Sequence, residues 1–500
     1  EDTTNPFDIE TSVKLINLID ALRIVDPAVG SGAFPMRVLS RLVFLLHKLD
    51  PNNSQWKKIQ IDGILKSVKD PILQKELLNQ VEKRFKEKNP DYGRKLYLIE
   101  KCIYGVDIQQ IAVEIAKLRF FISLLVDEAI DFDKKDENYG IEPLPNLDFK
   151  IMQGHSLVSG FMGINLSSTI SIEDKIKNYR EKINALKKKK EGIIKQFDLR
   201  NAWNLPKEKV NKTKKEIEQI DGEIKDIEEE MENLENQKPK IEEIIKSFEE
   251  LKSQYQNEPD VIKKQDLRKK IDEKIVEIFE ERLNQHLPEL KRIEEKARQF
   301  QKQNQRDEYV KLEKDKLFKR LGINLEKAKE ELIAYTEDTK EKNFFLWDIY
   351  FAQVFAEKSG FDIVIGNPPY VRQEKIKHLK PSLQQQNYQT FTSTADLYVY
   401  FYEKGHQLLK DTGILSFISS NKWMRAKYGE NLRKFLKDNT AVLKIIDFSG
   451  YRVFEQTVDT NIILFSKGKS ANWHTVNFVE IKSDVKNVIE YINQNWQTIP

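Results

Sequence analysis

The sequence predicts an α/β protein: a mostly parallel sheet of seven strands with an antiparallel last strand, interrupted by a large α-helical insertion. Three observations predict it. Seven short runs rich in Val, Ile and Leu recur along the chain, as expected of strands covered on both faces. Helical patterns alternate with them, which argues for a three-layer arrangement of helices on a sheet. Charge is also concentrated, because residues 171–340 hold 41 of the 83 Lys and Arg and 40 of the 80 Asp and Glu. Outside that block the composition is that of an ordinary globular protein.

The strand candidates, in order, are Leu22–Pro27, Cys102–Ile108, Phe149–Gln153, Phe361–Gly366, Gly413–Ser419, Val442–Phe448 and Asn461–Ser466. Helical patterns cover Ala33–Leu49, Ile111–Val126, Leu346–Lys358, Ala395–Lys410 and Arg425–Lys437. The sixth and seventh strands are joined only by the loop around Gly450–Asp459, too short for a crossover helix, so they should pair antiparallel. Residues 171–340 read as long solvated helices. Pro206, Pro239, Pro259 and Pro288 argue against one continuous rod, since proline breaks a helix interior, and favour a set of helical hairpins. The domain organisation expected is therefore 1–170 and 341–470 as two parts of one α/β domain, 171–340 as the insertion, and 471–500 as the start of a further, truncated region.

The net charge of +3 is silent on nucleic acid, because a basic groove can hide in a balanced total. The single cysteine, Cys102, excludes an intrachain disulfide and a cysteine metal site, and fits a reducing, cytoplasmic setting. Apolar runs such as Phe120 to Val126 are far shorter than the ~20 residues of a membrane span. The chain starts at Glu1 and stops at Pro500 in mid-composition, as a piece of a longer polypeptide would.

Three strand ends carry the chemistry. The first strand ends in DPAVGSGAF, residues 26–34, and opens directly into a helix. Gly30 and Gly32 let backbone approach a ligand, and the helix N-terminus offers unpaired N–H groups. The spacing is neither G-x-G-x-x-G nor a P-loop, and a purely structural turn explains it as well. The second strand ends in YGVDI, where Asp107 sits at the position that hydrogen-bonds ribose hydroxyls in doubly wound folds and Ile108 can wall an adenine ring. Asp107 lies 75 residues beyond Gly32, against the ~20 of the usual fingerprint, so an insertion over 50–95 must intervene. The fourth strand ends in NPPY, residues 367–370. Alone, this tetrapeptide is better explained by an Asn-Pro turn capping the strand.

DPAVGSGAF followed later by GNPPY resembles the two signature motifs of gamma-class DNA N(6)-adenine methyltransferases. The likeness extends through RKLYLIEKCIYGVDIQQIAVEIAKLRFFISLLVD, TADLYVYFYEKGHQLLKDTGILSFISSNKWM and YRVFEQTVDTNIILF, which are similar to the methyltransferase region of type IIG restriction–modification enzymes. It covers most of residues 20–170 and 345–470. The resemblance implies a Rossmann-like class I methyltransferase fold, S-adenosylmethionine as cofactor, double-stranded DNA as partner and no metal.

The resemblance also implies site residues. The cofactor would lie along Asp26, Pro27, Ala28, Gly30, Ser31, Gly32 and Phe34, with Asp107 and Ile108 at the second strand and His155 or Ser156 near its adenine. Asn367 and Pro368 would accept the two amino hydrogens of the target base, Pro369 would stiffen the loop, and Tyr370 would stack on the flipped base. Phe454 would supply the opposite face, although a core Phe closing a loop is its structural alternative. Asp396 matches a family position too, and an N-cap for the helix it precedes explains it equally.

Two family features are missing. No Thr-Pro pair precedes DPAVGSG, and the 30 residues after Ser470 are too few for a target-recognition domain. No endonuclease signature is visible. Methylation of an RNA base or a protein glutamine is the runner-up, because NPPY serves other planar amines and amides. A helical scaffold with a nucleotide-binding domain is the alternative outside that class.

Overall fold

The structure, a computed structural model, describes residues 5–86, 90–127, 147–161, 164–165, 169–198, 207–258, 260–286, 288–321, 330, 334, 343–455, 458–471, 474–483 and 485–499. The chain divides into two compact units. The first comprises Glu1–Ser159, Glu341–Phe345 and Gln353–Pro500; the second comprises Gly160–Lys340 and Leu346–Ala352.

The first unit is built on a nine-stranded sheet. We label its strands β1 (Ile24–Asp26), β2 (Ile103–Asp107), β3 (Ile151–Gln153), β4 (Phe361–Gly366), β5 (Leu409–Ser420), β6 (Thr440–Asp447), β7 (Thr460–Lys467), β8 (Val476–Glu480) and β9 (Gln497–Ile499). Their order across the sheet is β9-β8-β6-β7-β5-β4-β1-β2-β3. The pairs β1/β2, β2/β3, β1/β4 and β4/β5 are parallel, whereas β7 runs antiparallel to both β5 and β6. Strand order reverses at β1, since β2 and β3 extend to one side and β4 to the other. The carboxyl ends of β1 and β4 therefore flank the crevice where open α/β sheets bind ligands. The central strands carry the apolar core, with Val25, Val364, Leu415, Phe417 and Ile463 all at 0% exposure. A core of Ile16, Leu39, Leu96, Ile99, Phe120 and Ile151 continues from the sheet into the surrounding helices.

The 75-residue gap between Gly32 and Asp107 is occupied by helices Ser54–Ser67, Pro71–Lys86 and Pro90–Lys101, which follow helix Ala33–Leu49. Within 471–500, two strands add to the sheet: β8 pairs parallel with β6, and β9 pairs antiparallel with β8. Strand β5 starts at Leu409, four residues before the expected Gly413. The helix expected to run through Lys410 ends at Leu408, because Leu409 is buried and pairs with Phe361, and a register shift plus a left-handed Thr412 (φ +63°) absorb the irregularity. The helix expected over Leu346–Lys358 is broken into Trp347–Tyr350 and Ala352–Lys358 at Phe351, whose φ of −114° and ψ of 31° leave the helical region. The chain passes back to the first unit just after the break, between Ala352 and Gln353.

The second unit is helical apart from the short antiparallel pair Gly160–Phe161 and Ile164–Asn165. Helices Thr169–Asp198 and Lys207–Asn257 run antiparallel, as the pairs Arg180–Glu235, Lys187–Glu228 and Lys190–Asp221 require. These ion pairs are largely exposed and worth at most ~1 kcal/mol each. The seam of Ile183, Ile220, Ile224 and Ile227 holds the hairpin, at 3–8% exposure. Helix Lys207–Asn257 passes through Pro239 without interruption, contrary to the expected break there. A helix-interior proline costs ~3 kcal/mol or more. Buried Ile227, Ile244 and Phe248 on either side anchor the helix and offset that cost. Among the described residues no helix is long and apolar enough to cross a membrane.

Candidate active site

The turn after β1 is shaped by its glycines and closed by a carboxylate from the next strand. Gly32 occupies the N-cap of helix Ala33–Leu49 at φ +83°, and a Cβ there would lie 3.1 Å from the Ala116 Cβ. Gly30, at φ +51°, has open space where its Cβ would be. Both positions favour glycine because left-handed backbone costs an L-residue about 1–2 kcal/mol. The Gly30 N–H donates to Asp107 Oδ2 at 2.9 Å, and Gln109 N–H donates to Asp107 Oδ1 at 2.9 Å. Asp107 thus holds the glycine turn across the 75 residues that separate Gly32 from it in sequence. A carboxylate has about four lone-pair sites, so capacity to accept remains. Ile108 beside it is 40% exposed.

Asp26 ends β1 fully buried, its Oδ1 accepting the Ala28 N–H at 2.9 Å. A Cβ on Gly366 would lie 2.6 Å from that same Oδ1, so the glycine ahead of NPPY makes room for the Asp26 carboxyl between β1 and β4. Burial pushes the Asp26 carboxyl up to about 7, with the Asp107 charge adding to it. Ser31 and Phe34 are half-buried at the start of the helix. After β3, the Ser156 hydroxyl donates to the Pro27 carbonyl at 2.5 Å, which ties this loop to the glycine turn. His155 is 5% exposed, and its Nδ1 has no hydrogen-bond partner. Burial lowers its pKa to about 4, so the imidazole is neutral at physiological pH.

NPPY follows β4 at the same sheet edge. Asn367 Oδ1 and the Tyr370 hydroxyl are both buried without a hydrogen-bond partner. Burial raises the Tyr370 pKa well above that of a free phenol, so the ring is uncharged. Pro368 is buried and Pro369 exposed. The Val371 N–H donates to the Pro369 carbonyl at 2.9 Å, which turns the chain tightly at Tyr370. Together with Phe454 from the β6–β7 loop, 37% exposed, these residues line a cavity of about 570 Å³.

The structure therefore gathers Asn367, Pro368, Pro369, Tyr370 and Phe454 around one cavity, and gathers Pro27, Gly30, Asp107 and Ser156 around the glycine turn. Asp26 against Gly366 joins the two groups. Val371, Glu455 and Val458 also line the cavity and were not picked out in the sequence, where only their position beside Tyr370 and Phe454 signalled them. Asp396 stands at the N-cap of helix Leu397–Leu408 but makes no side-chain cap bond to it. Its Oδ1 instead accepts the Gln373 N–H at 2.9 Å.

Unpartnered acceptors in a cavity with aromatic walls suit a planar ligand that carries N–H donors. In comparisons with known proteins, residues 101–454 match the family described as Eco57I restriction-modification methylase. The chain is 38% identical over 118 residues to the type II methyltransferase M.BstVI of Geobacillus stearothermophilus, covering 24% of this chain and 20% of that one. It is 31% identical over 125 residues to the type II restriction enzyme and methyltransferase RM.Eco57I of Escherichia coli, covering 24% and 12% respectively. Against the putative type II restriction enzyme and methyltransferase RM.MjaORFECS2P of Methanocaldococcus jannaschii it is 28% identical over 454 residues, 90% of this chain and 30% of the relative. These matches span only about an eighth to three tenths of the relatives' lengths.

Proposed function

The chain belongs to the Eco57I restriction-modification methylase family, and from that premise we propose that it carries the site of a DNA adenine methyltransferase. The reaction moves a methyl group from S-adenosylmethionine to the exocyclic amine of an adenine flipped out of duplex DNA, within a type IIG restriction–modification or related phage-defence protein acting in the cytoplasm. In this reading residues 1–170 and 341–470 form a class I methyltransferase domain, and 171–340 are inserted into it. The strand order β3-β2-β1-β4-β5-β7-β6 with β7 antiparallel supports that domain reading.

The cofactor reading rests on fit. Gly30 leaves open space over the turn, and His155 Nδ1 is an unpartnered nitrogen on a ring that burial keeps neutral. Asp26 to Phe34 would line the cofactor, Asp107 would hold its ribose, Ile108 would wall its adenine, and His155 would meet the adenine amine, with Ser156 bracing the loop. When bound, S-adenosylmethionine supplies a methyl already activated on a sulfonium, so the chain needs no metal.

What the chain must do is prepare the nucleophile, because the adenine amine's lone pair is delocalised into the ring. Asn367 Oδ1 and the Pro368 carbonyl accept the two amino hydrogens, which favours a tetrahedral nitrogen and aims its lone pair. Tyr370 and Phe454 hold the base between them. Stacking at ~1–3 kcal/mol per base offsets much of the few kcal/mol that flipping costs. The observation that carries this reading is the orphaned Asn367 Oδ1 in a cavity walled by Tyr370 and Phe454.

Methylation sequencing of DNA from cells expressing the protein is the test. N(6)-methyladenine at one recurring sequence is expected. Unmodified DNA alongside labelled RNA or glutamine would replace the reading with those substrates, and failure to bind S-adenosylmethionine would leave the scaffold alternative.

A further inference from the structure

The segment after NPPY is held from outside its own strand. Val371 donates to the Pro369 carbonyl behind Tyr370, and the Val371 carbonyl accepts the Leu397 N–H at 3.0 Å. Two residues on, the Gln373 N–H donates to Asp396 Oδ1 at 2.9 Å. Leu397 is the first residue of its helix, where N–H groups lack an internal acceptor. Asp396 sits where a helix cap would and does not cap its helix. Both groups are directed at the chain that follows Tyr370, and the next residue, Tyr398, meets the Tyr370 ring edge-on at 6.2 Å and 80°.

The turn that presents Asp396 is itself fixed. Lys380 Nζ donates to the Ala395 carbonyl at 2.7 Å and the Thr392 carbonyl at 3.3 Å, and the Tyr400 hydroxyl donates to Thr392 at 2.8 Å. Beside it, the buried Glu403 carboxylate accepts the N–H groups of Gln389 and Thr390 at 3.1 and 2.8 Å. Asp396 therefore reaches Gln373 from a braced loop. A helix cap would serve only its own helix, and this carboxylate serves the segment that follows Tyr370.

We propose that Asp396 is a positioning residue for the methyl-transfer site: its carboxylate clamps the backbone after Tyr370 and so fixes the face on which the flipped base stacks. The proposal rests on the functional reading above for what the face receives. It does not rest on it for the clamp.

The test uses three variants of the intact protein. Asp396→Asn keeps an oxygen at the same reach; Asp396→Ser keeps a helix-capping oxygen too short to reach Gln373; Asp396→Ala keeps neither. For the Ser and Ala variants we expect kcat at least tenfold lower and faster exchange of the Gln373 amide, with the affinity for S-adenosylmethionine within twofold of wild type. For Asn we expect kcat within threefold and unchanged exchange. Rescue by Ser as good as by Asn would reassign Asp396 to a helix cap, and wild-type kcat in the Ala variant would overturn the clamp's role in the reaction. Cofactor affinity falling in step with kcat would make the role one of general folding. A wild-type protein that methylates no adenine would sink the functional reading instead, and Gln373 exchange would still report whether the clamp exists.

Discussion

Replacing Asn367 by Ala separates catalysis from stability. The Asn367 side-chain oxygen is buried in the NPPY cavity and makes no hydrogen bond within the protein, so its loss removes no internal bond. An unsatisfied buried polar atom costs a fold about 1–3 kcal/mol, so the variant should melt at or above the wild-type temperature. In the proposed reaction, by contrast, the transition state loses a preorganised acceptor. Removing one such group from an enzyme site costs roughly 2–4 kcal/mol, which at ~1.36 kcal/mol per decade is a 30- to 1,000-fold drop in kcat. The assay is single-turnover transfer of labelled methyl from S-adenosylmethionine to duplex DNA, with calorimetry for the cofactor and a thermal melt alongside. Cofactor affinity should be unchanged. A kcat within threefold of wild type would refute the acceptor role, and a melting temperature several degrees lower would identify Asn367 as a structural turn residue.

Three further outcomes are expected. Asp107→Ala should weaken S-adenosylmethionine binding at least tenfold by calorimetry, because it removes the proposed ribose acceptor and frees the Gly30 N–H; equal affinity would end the ribose assignment. Gly32→Ala should destabilise the protein in denaturant titrations by about 1–3 kcal/mol, from left-handed strain and the 3.1 Å approach to Ala116, whereas Gly30→Ala should cost less stability and more cofactor affinity; the reverse ranking would show the open space over Gly30 is not the cofactor's. His155 has a folded pKa of about 4 against 6.5 when unperturbed, so between those values the unfolded chain binds the extra proton and stability falls as pH falls. Wild type should therefore lose on the order of 3 kcal/mol relative to His155→Gln between pH 6.5 and 4. Parallel stability curves for the two proteins would contradict the neutral, buried imidazole.

The alternation of apolar strands with helices was legible because a strand buried on both faces is mostly apolar, whatever its neighbours are. The short β6–β7 loop likewise forced antiparallel pairing. The glycine turn and NPPY were legible as motifs, since left-handed backbone and a doubled proline leave few residue choices. Less legible were features that depend on partners distant in sequence. The helix through Pro239 survives on packing by Ile227, Ile244 and Phe248, which no local rule weighs. The strands within 471–500 were not legible either, because β8 pairs with β6, some thirty residues away in sequence. The helical pattern through Lys410 stops at Leu408, where the buried pairing of Leu409 with Phe361 makes the chain strand.

By itself the sequence determined which residue types stand at the strand ends: Asp26 and the glycines after β1, Asp107 after β2, and NPPY after β4. Periodicity and backbone chemistry act over a few residues, so they can be read without knowing the fold. Only the tertiary structure decided how those ends serve one another. It brought Asp107 to the Gly30 N–H, set Gly366 aside for Asp26, left Asn367 without a partner opposite Phe454, and turned Asp396 from its own helix to Gln373. Hydrogen bonds act over about 3 Å and record nothing in the order of residues. Strand order alone makes neighbours of groups hundreds of positions apart.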